Sequence, residues 1–276
     1  MSPLGLTTAV AHLRISRAAA LAQLLLWGAF STSASSFEET LSEPPDKPSP
    51  TQEQIADCNT IAREQLFHDL ADFARYSAAN TTLPPPLPGE KRVVFMGDSI
   101  TESWATIDPK FFARKEFIDR GISGQTTMQM LLRFRQDVAA LKPAVVHIMA
   151  GTNDIAGNTG PMDLPTTEAN IASMVDLARA NGIQVVIGSV LPAKDFSWHP
   201  GLDPGPTIVA LNKWLKAYSH VRHLIYVDYY TALNDGALGM RSDLTPDGVH
   251  PSLAGYLIMD PLADTAIRAA QQRQAR

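Results

Sequence analysis

Short apolar runs and stretches of helical spacing alternate along the chain from residue 92 onward. Continuous apolar runs of strand length predict buried strands at Val93–Met96, Ala144–Met149, Ile183–Ile187 and Leu224–Val227. Phe117–Gly121 is predicted as a further short strand. Runs that are apolar throughout, rather than at every second position, are typical of parallel strands that are covered on both faces.

Helical spacing fills the intervals between these strands. Apolar residues three and four positions apart predict helices at Thr126–Leu141, Thr167–Asn181 and Thr207–Ser219. A last helix is predicted from about Ser252, with Pro261 kinking or interrupting it. The alternation predicts a doubly wound α/β domain over residues 91–276, in which one parallel sheet lies between two layers of helices.

The amino-terminal residues carry a pattern typical of an export signal. Arg14 and Arg17 precede the apolar run Ala18–Phe30, which is short for a membrane span, and small residues follow it up to Ala34. We therefore predict a signal peptide over residues 1–34 and an exported protein, periplasmic or secreted. A buried amphipathic helix or an uncleaved anchor would give the same apolar run. Residues 35–50 are polar and rich in proline, which predicts a linker.

An amphipathic helix is predicted after this linker. Apolar residues recur at helical spacing from about Thr51 to Ala79, so residues 51–80 are predicted to form a helical extension with one apolar face. That face covers the main domain or forms a contact with a partner or a second copy, and the pattern fits both. Four prolines within residues 81–90 predict an extended connector.

Composition and charge narrow the classes of partner. The 276 residues are 45% hydrophobic and carry a net charge of −5. Such a chain can bury one good core, but it lacks the basic patch that nucleic-acid binding requires. The single Cys58 cannot form an internal disulfide. No second long apolar run follows the signal, so we expect no membrane span in the mature chain and a small-molecule or glycan substrate.

One serine stands where the first strand of the α/β domain runs into a helix. Ser99 follows the apolar run and the turn residues Gly97 and Asp98. In an open α/β sheet, groups at the carboxyl end of a strand face the ligand crevice, and the first N–H groups of the next helix can face a negative charge. Ser99 is therefore a candidate nucleophile, although a serine here could equally be a helix cap.

A histidine and a carboxylate lie close together near the end of the chain. Asp247 and His250 are three residues apart, and Gly248 between them permits a tight turn. A carboxylate that accepts the Nδ1 hydrogen leaves the Nε2 atom of the histidine free to take a serine proton. Taken alone, this stretch would also fit a surface turn.

Two further loops follow predicted strands and could supply hydrogen-bond donors. Gly124 lies after the second strand, where a residue without a side chain lets the backbone N–H approach a substrate closely. Asn153 follows the third strand and carries an amide donor. Each is an ordinary turn residue alone, but their joint occurrence at the ends of successive strands points to an oxyanion hole.

Taken in order, these four stretches resemble the sequence blocks of the GDSL/SGNH hydrolase superfamily, most closely its lysophospholipase and platelet-activating-factor-acetylhydrolase-like esterase branch. The resemblance implies a flavodoxin-like three-layer α/β/α sandwich with a central parallel sheet. It implies Ser99 as the nucleophile of a triad completed by Asp247 and His250. It also implies that the Ser99 N–H, the Gly124 N–H and the Asn153 side chain form the oxyanion hole, and that no metal or organic cofactor is needed.

Four positions within these blocks qualify the resemblance. Ile100 follows the serine where the family name has leucine, a change that leaves the nucleophile unaffected. Asp119 stands where many members carry asparagine, which concerns only a loop contact. Asp98 and Asp154 belong to the blocks and are predicted to fix loops rather than to perform chemistry.

The resemblance predicts an exported serine esterase that hydrolyses short acyl esters, chiefly acetyl esters, of a carbohydrate or small alcohol. Trp104 and Trp198 are candidates to line the substrate pocket, the second on the long loop Leu191–Pro206. Both could instead be packing anchors.

Three alternatives remain open from the sequence alone. The first is a lysophospholipase or thioesterase acting on longer acyl chains. The second is a catalytically silent carbohydrate-binding module with the same fold. The third is a metallophosphoesterase with ligands such as Asp243, Asp247 and His250, although the first strand lacks an Asp-x-His pair.

Overall fold

The computed structural model describes residues 69–274, in which five strands alternate with helices. The strands are β1 (Val93–Gly97), β2 (Phe117–Gly121), β3 (Val145–Met149), β4 (Gln184–Gly188) and β5 (Ile225–Val227). The helices are α1 (Ala74–Thr82), α2 (Ser99–Ile107), α3 (Thr127–Asp137), α4 (Thr152–Ile155), α5 (Leu164–Ala180), α6 (Gly205–Val221), α7 (Tyr229–Leu233) and α8 (Leu253–Gln274). Two short 3-10 helices lie at Phe111–Ala113 and Ala139–Leu141.

All five strands are parallel and form one sheet in the order β2-β1-β3-β4-β5. Val93 at the start of β1 pairs with Phe117 on one side and with Val145 on the other. The chain therefore reverses direction across the sheet at β1, and ligands of such folds bind beyond the carboxyl ends of the strands at this point. The predicted flavodoxin-like α/β/α sandwich is confirmed.

Helices cover both faces of the sheet, and alternate residues of each strand face alternate layers. In β1, Val94 and Met96 pack with α3, α5 and α6, whereas Val93 and Phe95 pack with α2, α7 and α8. Every residue of β1 and β3 is buried. This double burial explains why these two central strands are continuous apolar runs in the sequence.

Three predicted helix boundaries are corrected. Helix α5 begins at Leu164 rather than Thr167, because Asp163 caps it by accepting a hydrogen bond of 2.9 Å from the Thr166 N–H. The helix predicted at Thr126–Leu141 ends at Asp137 and is followed by a 3-10 turn. Helix α8 continues through Pro261 as one helix, since its buried face provides core packing on both sides of the proline.

The predicted amino-terminal helix is only partly within the described residues. Helix α1 begins at Ala74, and the preceding residues 69–73 form turns rather than helix. Asp72 has a φ of 52°, and the Asp69 carboxylate accepts a hydrogen bond of 3.2 Å from the Ala74 N–H. The predicted signal peptide, the linker and residues 51–68 of the predicted extension lie outside the described residues.

Within residues 69–274, no helix combines the length and the apolar character that a membrane span needs.

Candidate active site

Ser99 is the first residue of α2, two positions beyond the end of β1. Asp98 caps this helix, and its Oδ1 accepts a hydrogen bond of 2.9 Å from the Ile100 N–H. Gly97 is required by the tight turn, because a Cβ there would lie 2.0 Å from Thr101 Oγ1 and 2.9 Å from the Met149 carbonyl oxygen. The turn therefore presents the Ser99 hydroxyl at the carboxyl edge of the sheet.

The structure brings Ser99 next to His250, which is 151 residues away in sequence. The Ser99 Oγ and the His250 Nε2 are 2.9 Å apart. His250 lies in the loop that precedes α8, and its side chain is 19% exposed. A neutral imidazole in this position can accept the serine proton.

Asp247 holds the other side of the His250 ring. Its Oδ2 lies 2.7 Å from His250 Nδ1, and its Oδ1 accepts hydrogen bonds from the N–H groups of His250 (2.8 Å) and Val249 (2.9 Å). The Thr245 hydroxyl donates to the His250 carbonyl oxygen at 2.7 Å. Gly248 has a φ of 84°, a conformation that glycine adopts without strain. This loop is thus held largely by its own hydrogen bonds.

The electrostatics of the pair suit a histidine base and a permanently charged carboxylate. Burial alone would lower the pKa of His250, but the hydrogen bond and charge of Asp247, with a contribution from Asp98, raise it above the usual 6.5. Burial would raise the pKa of Asp247, but hydrogen bonds and the charge of His250 lower it to about 2. Asp247 therefore stays ionised wherever His250 can titrate.

The two predicted donor loops follow β2 and β3, the two strands that flank β1 in the sheet. Gly124 follows β2 with a φ of 77°, which favours glycine. Asn153 is the second residue of α4, just after β3, and is almost fully buried. Its Nδ2 donates to the Gln125 carbonyl oxygen at 3.1 Å, so the amide is fixed against the loop that carries Gly124.

Buried polar groups behind these loops hold them in place. Asp154 accepts hydrogen bonds from the Thr127 N–H, at 2.9 Å, and from the Thr127 hydroxyl, which joins α4 to the start of α3. The fully buried Arg133 donates to Gln125 Oε1 at 2.5 Å and to the Gly97 carbonyl oxygen at 3.1 Å. One guanidinium thus connects the turn before Ser99 with the loop beside Gly124.

Asn158 is a residue of this region that the sequence analysis missed. Its Nδ2 donates to Asn153 Oδ1 at 2.8 Å and to the Gly124 carbonyl oxygen at 3.1 Å. In the sequence it stands between glycine and threonine, a composition that fits any turn. Only the folded arrangement distinguishes it from a turn residue.

The two tryptophans predicted for the substrate pocket have different environments. Trp198 is 44% exposed, and its ring centre lies 6.3 Å from that of His250. Trp104 is fully buried between Phe111 and Tyr256 and donates its indole N–H to Asp260 at 2.9 Å. The expectation that Trp104 lines a pocket is therefore wrong, since it faces the core on the inner side of α2.

An open cleft of about 830 Å³ borders the same edge of the sheet. Its walls come from the start of α3, the segment after Asn153, the start of α5 and the loop that carries Trp198. His199 and Leu202 are the residues that this loop contributes. Ser99 and His250 are not among the lining residues, so the cleft lies beside the serine–histidine pair rather than around it.

Comparisons with known proteins agree with this geometry. Residues 95–258 match the model of the GDSL-like Lipase/Acylhydrolase family. The chain is 29% identical to Esterase TesA of Pseudomonas aeruginosa over 191 residues, which cover 66% of this chain and 85% of the esterase. It is also 29% identical to an acetylxylan esterase of Geobacillus stearothermophilus over 154 residues, which cover 51% of this chain and 67% of that enzyme.

A solved structure extends the agreement to three dimensions. The crystal structure of a GDSL-like lipase from Bacteroides thetaiotaomicron VPI-5482 superposes with a TM-score of 0.71 at 46% sequence identity. The match covers 72% of this chain and 98% of that one.

Proposed function

We infer the function of this chain from its membership of the GDSL-like lipase/acylhydrolase family of carboxylic ester hydrolases. It is an exported esterase that removes short acyl groups, chiefly acetyl, from a carbohydrate or another small alcohol. The observation that carries the chemistry is the continuous contact from Ser99 Oγ through the His250 ring to the Asp247 carboxylate. A serine in this contact is an activated nucleophile.

The reaction proceeds by acylation of Ser99. Its Oγ attacks the ester carbonyl carbon while its proton passes to His250 Nε2. The tetrahedral intermediate then collapses, the ester C–O bond breaks, and the alcohol leaves with the proton from Nε2. Water attacks the acyl-enzyme in the same way, which releases the acid and returns the proton to Ser99.

Three donors are assigned to the position where the negative charge develops. The Ser99 N–H is one of the unpaired donors at the start of α2, and the Gly124 N–H and the second hydrogen of Asn153 Nδ2 complete the set. Loss of one such donor typically lowers kcat by about 10²–10³-fold. We assign these groups as the oxyanion hole.

The position of Trp198 supports a carbohydrate or small cyclic alcohol. His250 protonates the departing alcohol, and the Trp198 ring centre lies 6.3 Å from that of His250, within reach of that alcohol. Trp198 itself stacks on the buried Phe196 with ring centres 4.9 Å apart, which leaves its outer face available. A flat, half-exposed indole fits the apolar face of a sugar ring.

Two further observations support the substrate class. The open cleft beside the Asn153 segment continues from the loop that carries Trp198, and it has room for additional units of a polymeric substrate. The Geobacillus relative is named for an acetylated glycan. Export is proposed from the signal pattern over residues 1–34, and amino-terminal sequencing of the mature protein from its native host tests it.

A longer acyl chain is the second candidate. Leu253 and Leu257 lie one turn apart at the start of α8, three and seven residues after His250, and they are 48% and 56% exposed. Exposed leucines this close in sequence to the histidine could receive the methylenes of a fatty acyl group.

Hydrolysis of p-nitrophenyl esters of increasing acyl length tests the proposal. We expect kcat/KM to peak at acetyl or butyryl and to fall for longer chains. Ser99→Ala should lose essentially all turnover, whereas Ser173→Ala, an exposed serine of α5, should keep it. A peak at octanoyl or beyond would favour the second candidate, and equal turnover in Ser99→Ala would contradict the assignment of the nucleophile.

A further inference from the structure

Asn158 is exposed, yet its side-chain amide makes three hydrogen bonds within the protein. Both of its donor contacts go to the proposed oxyanion hole, one to the Asn153 side chain and one to the Gly124 carbonyl oxygen. An exposed amide can be satisfied by water at little cost, so the convergence of its donors on this one site requires an explanation.

The contact with Asn153 determines which way that amide points. A primary amide has a donor end and an acceptor end, and a half-turn exchanges them. Asn158 Nδ2 donates to Asn153 Oδ1, while the Gln125 carbonyl oxygen accepts from Asn153 Nδ2. Both contacts are satisfied in only one orientation, and it leaves the second Nδ2 hydrogen of Asn153 free for an oxyanion.

The contact with Gly124 joins the two loops of the hole. Gly124 follows β2, whereas Asn153 and Asn158 follow β3. The chain between the two loops runs through α3 and β3, so it does not fix their separation. The distances of 2.8 and 3.1 Å from Asn158 Nδ2 hold the two loops at a fixed separation. Gly124 has a left-handed backbone and space around it, so a neighbouring contact is needed to fix its peptide.

Trp198 fixes the orientation of Asn158 in turn. The indole Nε1–H donates to Asn158 Oδ1 at 3.1 Å, which requires that Nδ2 be the end that faces Asn153 and Gly124. The indole is immobilised by its stack on Phe196, a fully buried residue. A chain of contacts therefore runs from the core through Trp198 and Asn158 to the oxyanion hole.

We propose that Asn158, oriented by the Trp198 indole N–H, is a positioning residue that holds the Asn153 amide and the Gly124 loop in the geometry of the oxyanion hole. This inference rests on the proposed esterase function. Because the oxyanion exists only in the transition state and the tetrahedral intermediates, removal of Asn158 should lower kcat and leave KM nearly unchanged.

Kinetics on p-nitrophenyl acetate test the proposal with Asn158→Ala, Asn153→Ala and the double variant. We expect Asn158→Ala to lower kcat by about 5- to 10-fold, the loss of one neutral hydrogen bond, with KM within about 2-fold of the wild type. In the Asn153→Ala background the same change should lower kcat by a smaller factor than in the wild type, because only the contact with the Gly124 carbonyl oxygen is then left to lose. The control is Asn181→Ala, at the end of α5, which should keep kcat.

Two conservative variants keep the test independent of folding. Asn158→Asp replaces the donor by a carboxylate oxygen opposite two acceptors, so it should lower kcat more than Asn158→Ala does. Trp198→Phe keeps an aromatic ring but removes the N–H, and it should lower kcat by about 2- to 5-fold only when Asn158 is present. A Tm within about 2 °C of the Asn181→Ala value would establish that all of these variants are folded.

Three results would overturn the proposal. The first is an unchanged kcat in Asn158→Ala. The second is a rise in KM in Asn158→Ala that is as large as the fall in kcat. The third is a fall in kcat in the double variant that equals the product of the falls in Asn158→Ala and Asn153→Ala. Failure of the proposed function would give a different result, because the wild type would then show no ester hydrolysis that depends on Ser99. The proposed role of Asn158 would be contradicted as well.

Discussion

The Asp247–His250 loop and the loops that carry Gly124 and Asn153 are held by different kinds of contact. Asp247 and His250 are connected by hydrogen bonds within a segment of six residues that begins at Thr245, and both remain partly exposed. Asn153 is instead almost fully buried and depends on partners from other loops of the chain. The first arrangement is local, whereas the second requires the whole sheet.

This difference separates the consequences of mutation. A change in the local loop should affect the reaction and leave the fold intact, because few contacts outside the loop depend on it. A change behind the oxyanion loops should affect stability first, because buried polar groups lose their partners there. The following predictions test that separation, beginning with the largest effect.

Asp247→Asn should lower kcat by about 10³–10⁴-fold. The N–H groups of Val249 and His250 require an acceptor at Oδ1, so the new amide nitrogen takes the position of Oδ2 and donates to His250 Nδ1. Nε2 then carries the ring hydrogen and cannot accept the Ser99 proton. Steady-state kinetics and thermal unfolding check this together, with Asp243→Asn, an exposed aspartate nearby, as the control. A drop in Tm that parallels the loss of kcat would contradict the local character of this loop.

Arg133→Ala should lower the free energy of unfolding by about 3–5 kcal/mol. Arg133 and its partner Asp137 are both fully buried, at an N–O distance of 3.1 Å, so the variant leaves a buried carboxylate without its cation. Arg135→Ala, exposed on the same helix, is the matched control and should change the stability little. Urea denaturation measures the difference, and equal midpoints for the two variants would refute the role of this ion pair.

The smallest expected effect is a displacement of the pH profile. Only neutral His250 can accept the Ser99 proton, and its pKa is raised above 6.5, so kcat/KM should fall as the pH is lowered through a value above 6.5. Asp247→Asn removes the charge that raises this pKa, and the midpoint of its residual activity should move to lower pH. A midpoint that does not move would show that another group titrates.

Much of this molecule is predictable because its signals are local. Continuous apolar runs located four of the five strands, and the fifth, β2, was also predicted. The separation of three residues between Asp247 and His250 placed those two on one loop. The prediction that Trp104 lines the substrate pocket was wrong, although its spacing in the sequence indicates a buried position. It stands four residues after Ile100 and three before Ile107, which is the apolar stripe of a helix that faces the core.

The contacts behind the oxyanion loops could not be predicted in this way. Asn158 and Gln125 are ordinary loop residues in sequence, and their roles depend on Gly124 and Asn153, which are 34 and 28 residues away, respectively. Arg133 resembles a solvent-exposed helix residue until the fold encloses it. A sequence pattern shows which face of an element is buried, but it does not show which polar groups meet there.

The most direct test of the central claim is to label the nucleophile itself. A fluorescent alkyl phosphonate is incubated with the wild type, Ser99→Ala and His250→Ala, and the labelled peptide is identified by mass spectrometry. We expect one adduct on Ser99 in the wild type, none in Ser99→Ala, and labelling at least about 10²-fold slower in His250→Ala, because general-base assistance is lost. An adduct on another residue, or an equal rate in His250→Ala, would contradict the account of Ser99 as a nucleophile activated by His250.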